Sequence, residues 1–208
     1  MKQDNYEVWR QEWKARFLSM DQKLLLQKLP FLIVEGKKLK LSYMGHMCQI
    51  DTETAGIDWD LPVSLHDELN IFTMLWYAKM GALQSNVWVP FAQLKDASVF
   101  HAAFHRNILL PLAKTFEYKG ELLEDALRQL GGQKLDHGDV CYEIKVFECI
   151  PVRVLFWDGD DEFPAQANLL FDKSATDFIH VESIVTISSS ILKHLARAAG
   201  ISVDGATF

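Results

Sequence analysis

The sequence predicts an α+β fold, a mainly antiparallel sheet with four to five helices packed on it, in a single domain covering residues 1–208. Three observations carry this expectation. Short runs with the two-residue apolar period of strands lie towards both ends, and segments with apolar residues every three or four positions fill the middle. The strand and helix patterns do not alternate as a parallel sheet would require. A chain of 208 residues with 49% apolar and 12% aromatic content is within what one hydrophobic core can serve.

The first element is a helix. Tyr6, Trp9, Trp13, Phe17, Met20 and Leu24 share one face by spacing, Asp4 and Glu7 fit a capping-box start, and Pro30 marks the stop. Acids and bases are mixed on its polar face, so it reads as a helix docking on the core rather than on lipid. Residues 31–34 and 39–43 flank Glu35-Gly36-Lys37 as a hairpin, and Gly45 breaks the pattern. A second helix starts at Ser64, with Asp67 three residues on and Leu69, Phe72, Trp76 and Met80 as its stripe, before Gly81 closes it. A third spans residues 96–116 and is interrupted or kinked at Pro111, and a fourth covers residues 122–130 ahead of Gly131-Gly132. Val140, Tyr142, Ile144 and Val146 then alternate as a strand, residues 152–157 and 168–171 add two more, and together they form a meander. A last helix over residues 181–199 turns Ile184, Ile187, Ile191 and Leu195 inward.

Composition narrows the function classes. A formal charge of −7 and a single small basic stretch, residues 37–40, argue against a nucleic-acid surface. No apolar run approaches the ~20 residues that cross a bilayer, and residues 1–5 carry no signal-peptide hydrophobic region, so a cytoplasmic location is expected. Cys48, Cys141 and Cys149 lack Cys-x-x-Cys spacing and read as buried thiols. There is no glycine-rich phosphate loop, and Ser188-Ser189-Ser190 sits in a helical pattern without nucleophile-elbow glycines.

Two constellations remain as candidate sites. Residues 156–164 place Asp158, Asp160, Asp161 and Glu162 between two apolar runs, with Trp157, Phe163 and Pro164 beside them. Crowded carboxylates need water, a cation or backbone N–H groups to relieve their repulsion, so this segment is either a solvated turn or an oxygen-donor cation site. Trp157, Asp158, Asp160, Asp161, Glu162 and, further on, Asp172 are the candidate ligand-binding residues. His101 and His105 stand four apart on the third helix, the spacing of a two-histidine metal clamp, although Ala102 replaces the glutamate of a zinc-protease helix. His66 and His180 join them only if the fold brings them near.

The run Gly138-Asp139-Val140, Ile150-Pro151-Val152, residues 155–165 and Leu170-Phe171-Asp172-Lys173-Ser174-Ala175 resembles the bacterial and archaeal family catalogued as domain of unknown function 3786. The likeness extends upstream through Leu130-Gly131-Gly132, Pro111-Leu112-Ala113 and Trp76-Tyr77. It implies a cytoplasmic protein of anaerobic microbes, in a family where some members resemble fusions to a four-iron cluster domain found with corrinoid and one-carbon proteins. This chain lacks cluster cysteines, so any iron–sulfur link implied by the resemblance runs through a partner. The resulting expectation is an accessory module binding a small-molecule cofactor or an iron–sulfur protein near residues 157–172. The alternatives are a metal-assisted or acid–base enzyme built on Asp160, Asp161 and Glu162, and a structural protein without catalysis.

Overall fold

The computed structural model describes residues 2–61 and 64–205, with side chains from Glu7 onward. The strands form two antiparallel sheets rather than one. The first is an ordered meander of β1 (Ile33–Glu35), β2 (Lys38–Tyr43), β3 (His46–Asp51) and β4 (Ile57–Trp59). The second holds β5 (Trp88–Pro90), β6 (Gln133–Lys134), β7 (Val140–Phe147), β8 (Ile150–Trp157) and β9 (Gln166–Asp172) in the order β5-β9-β8-β7-β6. Its β7-β8-β9 centre is the expected meander. β3 and β4 fall where the sequence reading stopped at Gly45.

The sheets meet at one turn. Met44 (φ 50) and Gly45 (φ 80) join β2 to β3 with Tyr43 opposite His46, the two-residue, positive-φ connection that suits strand twist. The register of β7 against β8 shifts between Lys145 and Phe147, and the Val146 carbonyl there accepts from Met44 N at 3.0 Å. A bulge in the second sheet thus supplies the acceptor for the hairpin tip of the first.

The first predicted helix is two helices, α1 (Lys2–Leu18) and α2 (Gln22–Lys28). The break has a local cause: the Asp21 side chain accepts from Lys23 N and Leu24 N, capping α2 and ending the stripe's single register. α1 begins ahead of Asp4, whose side chain, like that of Tyr6, lies outside the described residues. The core-docking expectation also needs correction. From Glu7 to Leu18 only Phe17 is buried; Trp9 is 56% exposed, and Trp13 is partly covered.

α3 (Leu65–Tyr77) starts with the expected capping box, Ser64 and Asp67 bonding reciprocally. The third predicted helix is broken ahead of its proline: α4 (His101–Phe104) passes into a π-helical turn (His105–Leu109) and then α5 (Leu110–Phe116). Pro111 offers no N–H and crowds the preceding turn, and the widened turn absorbs it without ending the helical path. α6 (Gly120–Gln129) and α7 (Val181–Ala198) match their predicted positions closely. α7 is buried nearly all round, packing on α3 and α6. Buried apolar residues of both sheets and of α2 to α7 form one cluster. No helix among the described residues is long and apolar enough to cross a membrane.

Candidate functional site

Polar residues buried in an apolar core must find partners there, and α3 and α7 carry a set that find one another. Asp67, in the first turn of α3, is 2% exposed. Its Oδ1 accepts from the Tyr43 hydroxyl at 2.9 Å and lies 3.2 Å from His194 Nε2; its Oδ2 accepts from Ser64 Oγ at 2.6 Å. One helical turn on, Asn70 Nδ2 donates to Tyr43 Oη at 3.1 Å and Ser190 Oγ at 3.2 Å, and Asn70 Oδ1 accepts from Thr186 Oγ1 at 2.6 Å. The network ties β2, α3 and α7 together. Burial alone raises the Asp67 carboxyl, but the donors from His194, Ser64 and Tyr43 outweigh it and hold the group well below the usual carboxylate range. Burial, and the Asp67 charge beside it, push the Tyr43 phenol well above its ordinary value.

Thr186 is shared with a cleft. Trp9, Glu12, Trp13 and Arg16 of α1 form one wall, Leu69, Thr73 and Tyr77 of α3 the second, and His180 with Glu182, Ser183 and Thr186 of α7 the third, around a volume of about 320 Å³. The aromatic groups follow one another: Trp13 to Tyr77 at 6.2 Å between centroids, and Tyr77 to His180 at 5.5 Å. Arg16 lies over the Trp13 ring at 4.5 Å and reaches Trp76 at 5.9 Å. Arg10 pairs through two nitrogens with the buried Glu68, pinning α1 to α3 beside the cleft.

The residues singled out from sequence lie elsewhere and apart. Asp160 Oδ1 accepts from Glu162 N at 2.8 Å and Phe163 N at 2.7 Å, an Asx turn at the tip of the β8–β9 loop, which lowers its carboxyl from the ordinary value. Asp161 and Glu162 are exposed on the same tip. Asp158 Oδ1 accepts from Tyr118 N at 2.6 Å and Gly159 N at 2.8 Å, and Glu117 Oε1 accepts from Ala165 N at 3.0 Å, so the loop is docked on the α5–α6 connection. Asp158 also lines an open groove with Tyr118, Lys119, Glu121 and Asp139. Trp157 stands edge-on to His137 at 5.9 Å, and Phe163 is largely exposed, so neither fills the core.

Asp172 sits at the far end of β9, six residues and ~20 Å of strand from the loop. It is buried and accepts from Ser85 N and Oγ, Asn86 N, and Ser174 N and Oγ at 2.6 to 3.0 Å. Three of these donors pin residues 85–86 to the sheet, and the two from Ser174 hold the turn that follows β9. Asp172→Ala strands them, and a loss of about 2–3 kcal/mol is expected, read as a lower urea midpoint with an unchanged slope.

His101 and His105 are both exposed, on α4 and the π-helical turn, while His66 belongs to α3 and His180 precedes α7. No group of three or more His, Cys, Asp or Glu among the described residues is placed to hold a metal ion. All three cysteines are free and buried, and burial pushes the Cys48 and Cys149 thiols up to about 12.

Sequence reasoning missed both the network and the cleft. Asp67 was visible as a cap and Ser190 and His194 as polar interruptions of an apolar helix, but nothing in the spacing joins partners 127 residues apart. No curated protein and no solved structure matches the chain. A family model described as "Domain of unknown function (DUF3786)" matches residues 24–194, a range holding every residue of the network and the α3 and α7 walls of the cleft, but not Trp9, Glu12, Trp13 or Arg16. With most of its length matched, the chain belongs to the DUF3786 family.

Proposed function

We propose that the protein is a binding module for a small organic ligand with a flat or rounded apolar body, seated in the cleft between α1, α3 and α7. The observation that carries this reading is the exposure of Trp9 and Tyr77, 56% and 40%, on two walls of one concavity. Its volume of about 320 Å³ and the aromatic faces set among its polar groups suit a ligand seat. The small-molecule partner expected from the sequence is kept, and its seat moves from the acidic segment to this cleft.

The network below supports binding rather than chemistry. Asp67 and His194 are enclosed, both Asp67 oxygens accept from protein groups and His194 Nε2 lies on Asp67, so the pair serves as the frame fixing α3 against α7. Trp9 and Trp13 precede the range that the family model matches.

The test is titration of the nitrogen-15-labelled protein with naphthol, a neutral planar probe. The expected result is movement of the Trp9 and Trp13 indole N–H resonances, no movement for the buried Trp59, and affinity falling roughly tenfold in the Trp9→Ala/Tyr77→Ala variant. Movement confined to Trp157, or no movement at all, overturns the proposal.

A further inference from the structure

From the groups lining the cleft, we infer that its ligand is an organic cation, an alkylated ammonium carrying a compact apolar body. The inference rests on the reading of the cleft as a ligand seat and adds the charge of what sits there. Three features argue for it independently.

The floor offers acceptors. A hydroxyl has one proton to donate, and those of Thr73 and Thr186 are already committed: Thr73 Oγ1 donates to the Leu69 carbonyl at 2.7 Å, and Thr186 Oγ1 to Asn70 Oδ1 at 2.6 Å. Neither has a proton left for a ligand, so each can only accept. His180 differs: its Nδ1 accepts from Glu182 N at 3.3 Å, so the neutral ring carries its proton on Nε2.

The charges favour a cation. Glu12 and Glu182 stand on opposite walls, against the single guanidinium of Arg16. Arg16 is itself held over Trp13 and Trp76, so its charge is already matched to ring faces. The chain as a whole, at −7, adds to the attraction.

The third feature is the aromatic surface. The negative faces of indole and phenol rings attract cations, and this surface already accommodates one in Arg16. Trp9 and Tyr77 present exposed rings with no guanidinium over them among the described contacts. An anion would meet the two carboxylates of Glu12 and Glu182. A neutral ligand would leave the carboxylates without a role.

The experiment compares choline with its uncharged carbon isostere, dimethylbutanol, by titration calorimetry on the full chain, with naphthol as the neutral aromatic reference. Choline is expected to bind roughly tenfold more tightly than the isostere. In Glu12→Gln/Glu182→Gln, two exposed substitutions expected to leave the melting temperature unchanged, the preference should fall to about twofold or less. Equal or tighter binding of dimethylbutanol, or a preference that survives the double substitution, overturns the inference. If naphthol binds and choline does not, the cation assignment falls while the ligand seat stands; if none of the three binds, both fall.

Discussion

Replacing Asp67 by Ala is expected to lower the free energy of unfolding by about 3–5 kcal/mol at neutral pH. The buried Tyr43 hydroxyl and the half-buried Ser64 hydroxyl lose their acceptor, and His194 loses its buried partner. Asp67→Asn, which keeps an acceptor oxygen and the shape, should cost less. Urea melts at neutral and acid pH separate the packing from the charge. The folded-state Asp67 carboxyl lies below its unfolded value of about 3.9, so its contribution is fully present above that value and is lost as pH falls through the lower folded one. Wild type should therefore lose stability more steeply than Asp67→Asn below about pH 4. An Ala variant within about 1 kcal/mol of wild type would mean that the network does not hold α3 on α7.

The second large effect is expected at Gly45. A Cβ there would stand 2.6 Å from the Leu130 carbonyl oxygen and 2.8 Å from its carbon, both backbone atoms, in a residue already at φ +80. The left-handed conformation costs about 1–2 kcal/mol for a residue with a side chain, and overpacking against backbone adds about 1–3 kcal/mol. Gly36 provides the control: it has φ +58 and nothing within 4 Å of the added atom. Gly36→Ala should show only the conformational part, so Gly45→Ala should exceed it by roughly the overpacking cost. Equal midpoints for the two variants in urea would show that the hairpin tip can move off α6 without penalty.

What the sequence revealed was what it encodes locally. The capping box at Ser64 and Asp67 spans four residues, and the β7-β8-β9 meander and α7 follow from periods that repeat within one element. The failures share a cause. The stripe through Trp9, Trp13 and Phe17 has the same spacing whether it fills a core or lines a cleft, because periodicity names a face and not what covers it. β3 was missed because its inward residues are only Cys48 and Ile50, with the apolar Met47 facing outward between them and His46, a weaker alternation than that of β7. The interruption near Pro111 was placed correctly in the chain but appears as a widened turn ahead of it. In the acidic segment, Oδ1 of Asp158 and Oδ1 of Asp160 each accept from two backbone N–H groups, contacts that no spacing rule announces.

The buried cysteines have a practical consequence. Cys48 lies in the first sheet, and Cys141 and Cys149 in and beside β7 of the second. Since a thiol reagent must wait for each strand to open before it can react, the rates at which these three sites are modified form a pair of clocks, one in each sheet. Their agreement or divergence measures whether the Met44–Gly45 stitch makes the two sheets open as a single unit.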